Sequence, residues 1–229
     1  MRRSVPRAGL LAIMALAACA GSGPGPAPPP TPERTEAAAG NQSVLTPAAL
    51  AKADSGRPAY TVADVHFMSG MIAHHAQAVL MAGWAPSHGA SAAVRALCER
   101  IVVGQRDEIA FMQSWLRDRR EPVPDGSPSH STMPGMAHPM MPGMLTGEQL
   151  TQLDRAKSTE FDRLFLTFMI QHHQGAITMV EQLLSVRGAA QDEYVWKFAS
   201  DVNADQTTEI DFMTLMLAQL PSPAREKRP

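Results

Sequence analysis

The sequence is poor in cysteine and in aromatic residues. Two cysteines, Cys19 and Cys98, occur in 229 residues, and aromatic residues make up 5% of the chain. It contains no Cys-x-x-Cys redox pair, no Gly-rich phosphate loop and no nucleophile elbow. A formal net charge of −2 gives no basic surface of the kind that binds nucleic acid. No segment alternates apolar and polar residues as a half-buried strand does, so the chain is predicted to be all-α.

The N-terminus resembles the leader of an exported bacterial lipoprotein. A basic start precedes the short apolar run Ala8–Ala17, which is too short to span a membrane. The segment Leu16–Cys19 resembles a lipobox, which predicts cleavage before Cys19 and attachment of lipid to its thiol. The alternative is an ordinary signal peptide that ends near a cysteine. With Cys19 lipidated, Cys98 has no cysteine left to pair with, so no intrachain disulfide forms.

These features predict an exported protein anchored by lipid to the outer face of the cytoplasmic membrane, or held in the periplasm or at the cell surface. The expected segments are a signal peptide (1–18), a Pro/Ala/Gly-rich tether (19–44), a helical domain (45–220) and a tail (221–229).

The helical domain contains one pattern twice. Met71–Ala76 recurs as Met169–Gln174, 98 positions later, and Gln105–Met112 recurs as Gln206–Met213, 101 positions later. A nearly constant shift predicts a duplicated helix-loop-helix hairpin rather than a solenoid repeat. Two such hairpins pack most simply as an antiparallel four-helix bundle. The first repeat is expected at about 58–119, a Met/His-rich linker at about 121–146 and the second repeat at about 147–220.

Capping and breaking residues predict where the helices begin and end. Thr61 and Asp64 form a capping box for the first helix, and Pro and Gly residues break the later ones. The expected helices are 61–84, 91–119, 146–157, 160–187 and 192–220, with a short helical segment at 47–53.

Each repeat carries an adjacent pair of histidines within a stripe of methionines. Two neighbouring histidines lie about 100° apart around a helix, so both cannot point in one direction. His74 and His172 share the methionine stripe and are expected to face inward. The candidate metal ligands are His74, His75, His172, His173, Met71, Met81, Met169 and Met179.

A set of imidazole and thioether groups favours copper. Imidazole binds several transition metals, whereas thioether sulfur selects Cu(I), and zinc sites rarely use methionine. Cu(I) is expected where methionine dominates and Cu(II) where histidine does. The alternative is a purely structural role. In that case the helical methionines only fill the core, and each inward histidine makes its hydrogen bonds within it.

Several residues outside the histidine pairs also have candidate roles. Glu108 and Glu209 are expected either to orient an imidazole N–H or to be ordinary surface charges. Cys98 is expected to pack as a small apolar residue, and His66 and His88 are expected on the surface. The linker offers a secondary metal site in a flexible loop, with low-complexity drift as the alternative; its residues are Met133, Met136, His138, Met140, Met141 and Met144.

These motifs resemble a known bacterial family. The block Phe161–Leu166, the segment Met169–Ala176 and its shorter counterpart Met71–Ala78 are similar to domain of unknown function 305, the CopM-like proteins. The resemblance implies a ferritin-like four-helix domain that is secreted or surface-anchored. It also implies a metal role for the two histidine pairs, because some relatives are linked to copper binding and copper resistance.

The leading hypothesis is an extracytoplasmic protein that sequesters copper or passes it to a transfer partner. Its alternatives are a metal-dependent redox enzyme that uses the same histidines, and a structural or interaction module without metal. An enzyme is the weaker reading, because the Glu-x-x-His motifs of a di-iron site are absent. An exposed methionine-rich seam would support a homodimer.

Overall fold

The computed structural model describes Gly56, residues 59–127 and residues 141–221. The predicted signal peptide, tether, helical segment 47–53 and linker residues 128–140 lie outside this part of the chain. The described residues form five helices and no strand, which confirms the all-α prediction. The helices are α1 (Val62–Gly83), α2 (Ala92–Asp118), α3 (Gly147–Arg155), α4 (Ser158–Ser185) and α5 (Glu193–Gln219).

The four long helices form two hairpins, α1 with α2 and α4 with α5, and the hairpins meet where α1 packs on α4. The short helix α3 packs on α4 and leads directly into it. This is the predicted bundle of two helical hairpins, and each helix boundary lies within two residues of its expected position. Among the described helices, none is both long and apolar enough to cross a membrane.

Two buried carboxylates hold the hairpins against each other. Thr61 caps α1 as predicted, and the Asp64 carboxylate accepts the Thr61 backbone N–H at 2.6 Å. Asp64 also accepts the backbone N–H of Ala190, in the loop between α4 and α5, at 2.7 Å. Asp162, near the start of α4, accepts the backbone N–H of Ser91, just before α2, at 3.1 Å. Each hairpin therefore binds the loop of the other, and α1 and α4 run antiparallel.

The apolar core consists of two clusters on either side of the histidines. Positions 71 and 81 flank His74 along α1, and positions 169 and 179 flank His172 along α4. Because the helices are antiparallel, each cluster receives methionines from both hairpins. One cluster contains Met81, Met169 and Met213; the other contains Met68, Met71, Met112 and Met179.

The end of the linker is a packed segment rather than the expected flexible loop. Residues 141–146, which we call the strap, lie across α1 and α4 just before α3. The side chain of Gln77 donates to the Leu145 carbonyl at 3.1 Å and accepts the Leu145 N–H at 2.7 Å. A β-carbon on Gly175 would lie 2.1 Å from the Pro142 carbonyl oxygen, so only glycine allows this approach.

His88 is not on the surface, contrary to the sequence-based expectation. Its side chain lies in the turn between α1 and α2 and is 5% exposed. The ring nitrogens lie 2.9 Å from the Trp84 carbonyl oxygen and 2.7 Å from that of Asp154. The histidine therefore connects this turn to the end of α3, a long-range contact that the sequence pattern does not reveal.

The described methionines do not support the expected dimer seam. All of them are buried or half-buried, so the helices expose no methionine-rich surface for a second copy. Cys98 packs as a small apolar residue, as predicted. Burial, aided by the negative charge of Asp162, raises the pKa of its thiol to about 12, so the thiol stays protonated.

We predict that Gly175→Ala destabilises the protein while Gly104→Ala stabilises it. Both glycines lie inside helices, but a β-carbon on Gly104 meets nothing within 4 Å. Overpacking at Gly175 should lower the free energy of unfolding by about 1–3 kcal/mol. Relief of the glycine penalty at Gly104 should raise it by about 0.5–1 kcal/mol. Urea unfolding of both variants tests this, and equal stabilisation by the two alanines would contradict the packed strap.

Candidate metal centre

All four histidines of the repeated motif are completely buried. His74 and His75 lie near the middle of α1, and His172 and His173 near the middle of α4, each with 0% exposure. The rings of His74 and His172 face each other across the helix crossing, with centroids 3.8 Å apart and planes tilted by 39°. The expectation that these two point inward agrees with this geometry. Their neighbours point toward α2 and α5 rather than toward water.

Two glutamates contact the outer histidines, His75 and His173, in the same way. Nε2 of His75 lies 2.7 Å from the Glu108 carboxylate on α2, and Nε2 of His173 lies 2.7 Å from the Glu209 carboxylate on α5. The glutamates are 26% and 27% exposed, so each carboxylate bridges a buried ring and the solvent. A carboxylate only accepts, so Nε2 carries the proton in both rings. The structure thus favours an orienting role for Glu108 and Glu209 over that of plain surface charges.

The strap provides the corresponding acceptor for His74. Nε2 of His74 lies 3.0 Å from the carbonyl oxygen of Pro142 and donates to it. Sequence reasoning did not identify Pro142, Gln77 or Gly175 as parts of the site. The only available signal was the Met-Pro-Gly-Met run at 141–144, which gives no indication that its backbone reaches a histidine 68 positions earlier.

Five buried imidazole nitrogens make no hydrogen bond. They are Nδ1 of His74, His75, His172 and His173, together with Nε2 of His172. A buried polar atom without a partner costs about 1–3 kcal/mol, so a cluster of this size is unusual in a stable core. Unpaired lone pairs on neutral imidazole are the donor groups that transition metals use.

Burial keeps the two central rings neutral. Burial, with a smaller effect from the neighbouring His75 ring, lowers the pKa of His74 to about 3. The same cause, followed by the nearby His74 ring, lowers the pKa of His172 well below its ordinary value. Neither ring therefore has to lose a proton at neutral pH before it binds a metal.

The candidate methionines lie on both sides of the histidines. Met71, Met81 and Met169 are 0% exposed and Met179 is 8% exposed. Met71 and Met179 belong to one core cluster, and Met81 and Met169 to the other. The structure thus brings thioethers from opposite hairpins together, which the repeat alone would not predict.

Some candidate ligands lie outside this centre. Of the linker group, Met133, Met136, His138 and Met140 fall outside the described residues, as does Cys19. Met141 packs with its sulfur 3.3 Å from the position of a β-carbon on Gly70, and Met144 is 6% exposed. Within the described ranges, no group of three or more His, Cys, Asp or Glu side chains is arranged to hold a metal ion. Binding would therefore need imidazole and thioether together, or a local rearrangement.

Comparison with solved structures relates this fold to several proteins. A DUF305 protein of Streptomyces coelicolor, named as a candidate secreted protein, is 25% identical, with 69% of this chain and 91% of that chain covered and a TM-score of 0.59. A DUF305 fragment from Deinococcus radiodurans is 27% identical, with coverages of 71% and 100% and a TM-score of 0.58. CopM in its Cu(II)-bound form is 28% identical, with coverages of 68% and 95% and a TM-score of 0.54.

CopM in its Cu(I)-bound form is 26% identical, with 70% of this chain and 97% of that chain covered and a TM-score of 0.51. No curated protein sequence matches the chain. The model of the domain of unknown function DUF305 matches residues 64–219, which include all four long helices apart from a few terminal residues. The chain therefore belongs to the DUF305 family, as its sequence motifs predicted.

Proposed function

We propose that this protein binds copper through the four buried histidines and the methionines that flank them. The observation that carries the proposal is the set of five buried imidazole nitrogens without a hydrogen bond. A bound metal ion would form coordination bonds with some of these nitrogens and so offset the free-energy cost of burying them without a partner. The relation to CopM, which has been crystallised in Cu(I)-bound and Cu(II)-bound forms, supports the choice of metal.

The donor atoms fit copper better than zinc or a hard cation. The candidate donors are imidazoles and the thioethers of the two flanking clusters, whereas the carboxylates of Glu108 and Glu209 already accept hydrogen bonds from ring nitrogens. Thioether sulfur from Met71, Met81, Met169 or Met179 would favour Cu(I), and the imidazoles alone would favour Cu(II).

Orientation by a second group is typical of metal-binding histidines. Such a histidine usually donates one N–H to a carboxylate or carbonyl and binds the metal with its other nitrogen. His75 and His173 show this arrangement with Glu108 and Glu209. We infer that Nδ1 is the ligand atom of both rings.

The cellular role follows from this site and the N-terminal signals. We propose sequestration of copper outside the cytoplasm, or its transfer to a partner, by a protein anchored through lipid on Cys19. In this proposal residues 1–18 are the signal peptide and residues 19–44 the tether. Residues 133–140 of the linker would capture copper and pass it to the bundle. The candidate secreted relative from Streptomyces coelicolor supports export.

We predict that replacing the four histidines with alanine abolishes tight Cu(I) binding. The full chain would be titrated in detergent against a competing Cu(I) chelator. The exposed His66→Ala serves as the control, since this ring lies outside the centre. Circular dichroism establishes that each variant is helical, and the double variant His74→Ala/His172→Ala replaces the fourfold one if that fails to fold. Affinity that survives in the variants would place the copper site elsewhere and refute the proposal.

Copper should also raise the melting temperature of the wild-type protein, because a ligand that binds only the folded state stabilises it by mass action. At a free copper concentration 100 times the Kd, the stabilisation is about 2.7 kcal/mol. If the histidines only connect the helices, the melting temperature stays constant with and without copper. That result would favour the structural alternative.

We predict that Glu108→Ala lowers copper affinity about 10–100-fold, the usual loss when an orienting partner is removed. The change leaves the His75 Nε2–H without its acceptor while all proposed ligands remain. Glu99→Ala, at an exposed position of the same helix, is the matched control and should leave affinity unchanged. Chelator competition gives both values. Equal affinities in the two variants would mean that Glu108 does not act on the site.

A further inference from the structure

Three of the four buried histidines share one hydrogen-bonding pattern. Nε2 of His74, His75 and His173 each faces an oxygen atom that can only accept, at 3.0, 2.7 and 2.7 Å. Nδ1 of each ring makes no hydrogen bond. Two of the acceptors are glutamate side chains on helices, whereas the third is the backbone carbonyl of Pro142 in the strap.

We propose that the strap is a positioning element that keeps His74 in the tautomer protonated at Nε2 and so leaves its Nδ1 free for a metal. Pro142 performs for His74 the task that Glu108 performs for His75. This inference rests on the proposed copper function for its biological purpose. Its structural content, one fixed tautomer at one ring, can be tested without metal.

Several contacts fix the position of the Pro142 carbonyl. Gly143 has φ +75°, and a β-carbon there would lie 2.6 Å from the Gln171 carbonyl oxygen. Gly175 faces Gly143 at the same contact and lets the strap backbone lie directly against α4. Gln77, one turn after His74 on α1, binds both backbone polar groups of Leu145. The helix that carries the histidine thus also carries the side chain that holds its acceptor in place.

The strap makes the two hairpins unequal. His172 occupies the position in α4 that His74 occupies in α1, yet neither of its ring nitrogens makes a hydrogen bond. The backbone carbonyl of His74 lies near the His172 ring and acts on its pKa in the direction opposite to burial, but it meets hydrogen-bond geometry with neither ring nitrogen. The repeated sequence therefore produces one central ring with a hydrogen bond, His74, and one without, His172. A metal bound in the centre would meet Nδ1 of His74 as an oriented donor, because the strap holds the other nitrogen of that ring.

The strap also joins the linker to this ring. It follows residues 128–140 directly along the chain, and its first residue, Met141, packs beside Gly70 of α1. The glutamates that hold His75 and His173 lie instead on α2 and α5, so His74 is the one of these three rings whose acceptor belongs to the strap.

The first experiment reads the tautomers directly in the metal-free protein. Long-range ¹H–¹⁵N NMR spectra of the full chain in detergent, labelled in histidine, distinguish Nε2–H from Nδ1–H rings. His74, His75 and His173 should all be protonated at Nε2 in the wild type. Gln77→Met, which keeps the side-chain volume but removes both bonds to Leu145, should abolish the single Nε2–H signal of His74 only. Gly175→Ala, which displaces the strap from the other side, should do the same and replaces Gln77→Met if that variant does not fold.

Gln113→Met is the matched control. Gln113 also binds a loop carbonyl, that of Pro124 at 2.9 Å, but far from the strap along the chain. This variant should leave all three signals unchanged. A His74 ring that is protonated at Nδ1 in the wild type, or that keeps its Nε2–H signal in both strap variants, would overturn the proposal.

The second experiment asks whether the strap acts on the metal through His74. Gln77→Met should weaken Cu(I) binding about 10–100-fold in the wild type. In a His74→Ala background the same change should have no further effect, because the ring that the strap orients is gone. An equal loss in both backgrounds would mean that the strap supports the fold generally and would refute a positioning role. A wild-type protein that binds no copper would refute the proposed function, while the NMR result would still decide the tautomer.

Discussion

The structure depends on the burial of four imidazole rings at the crossing of two antiparallel helices. A ring in this position carries two polar nitrogens into an apolar core rich in alanine, methionine, leucine and phenylalanine. Each unpaired nitrogen works against folding by about 1–3 kcal/mol. The protein satisfies three nitrogens with oxygen acceptors and leaves five without a partner. Buried polar atoms that lack hydrogen-bond partners are typical of a site that is arranged for a ligand.

Packing and hydrogen bonds elsewhere in the bundle offset the free-energy cost of the unpaired imidazole nitrogens. Asp64 and Asp162 each bind a backbone N–H of the opposite hairpin, so the two hairpins cannot separate without exposing buried carboxylates or breaking these bonds. The two apolar clusters on either side of the histidines supply most of the burial. The histidine layer is therefore held from both sides by packing and at both ends by hydrogen bonds. A rigid frame of this kind keeps donor atoms oriented before any ligand arrives.

Much of the fold was predictable because it depends on local pattern. The capping box at Thr61 and the breaks near Trp84, Ser185 and Leu220 are short-range signals, and the helices follow them closely. The duplicated motif predicted two hairpins, and the methionine stripe identified His74 and His172 as the ring pair that faces inward. The glutamates at 108 and 209 were candidates because they share a helical face with buried residues.

Other features were beyond sequence reasoning because they join residues far apart in the chain. His88 lies near a turn and reads as a surface residue, but it becomes buried when α3 packs over it. The described methionines do not form an exposed seam, because those of both hairpins pack into the two apolar clusters. The strap is the clearest case, since two glycines and one glutamine, none adjacent to another, decide where a proline carbonyl lies.

The sequence by itself determined the helices, their pairing into two hairpins and the placement of two histidine pairs on apolar faces, since these follow from the period of one helix. Only the tertiary structure decided that all four rings are buried and that the two central rings face each other at close range. It also decided which nitrogens are bonded and that the two halves differ. These properties depend on distances between segments that are 30 to 100 positions apart, and a one-dimensional pattern contains no information about such distances.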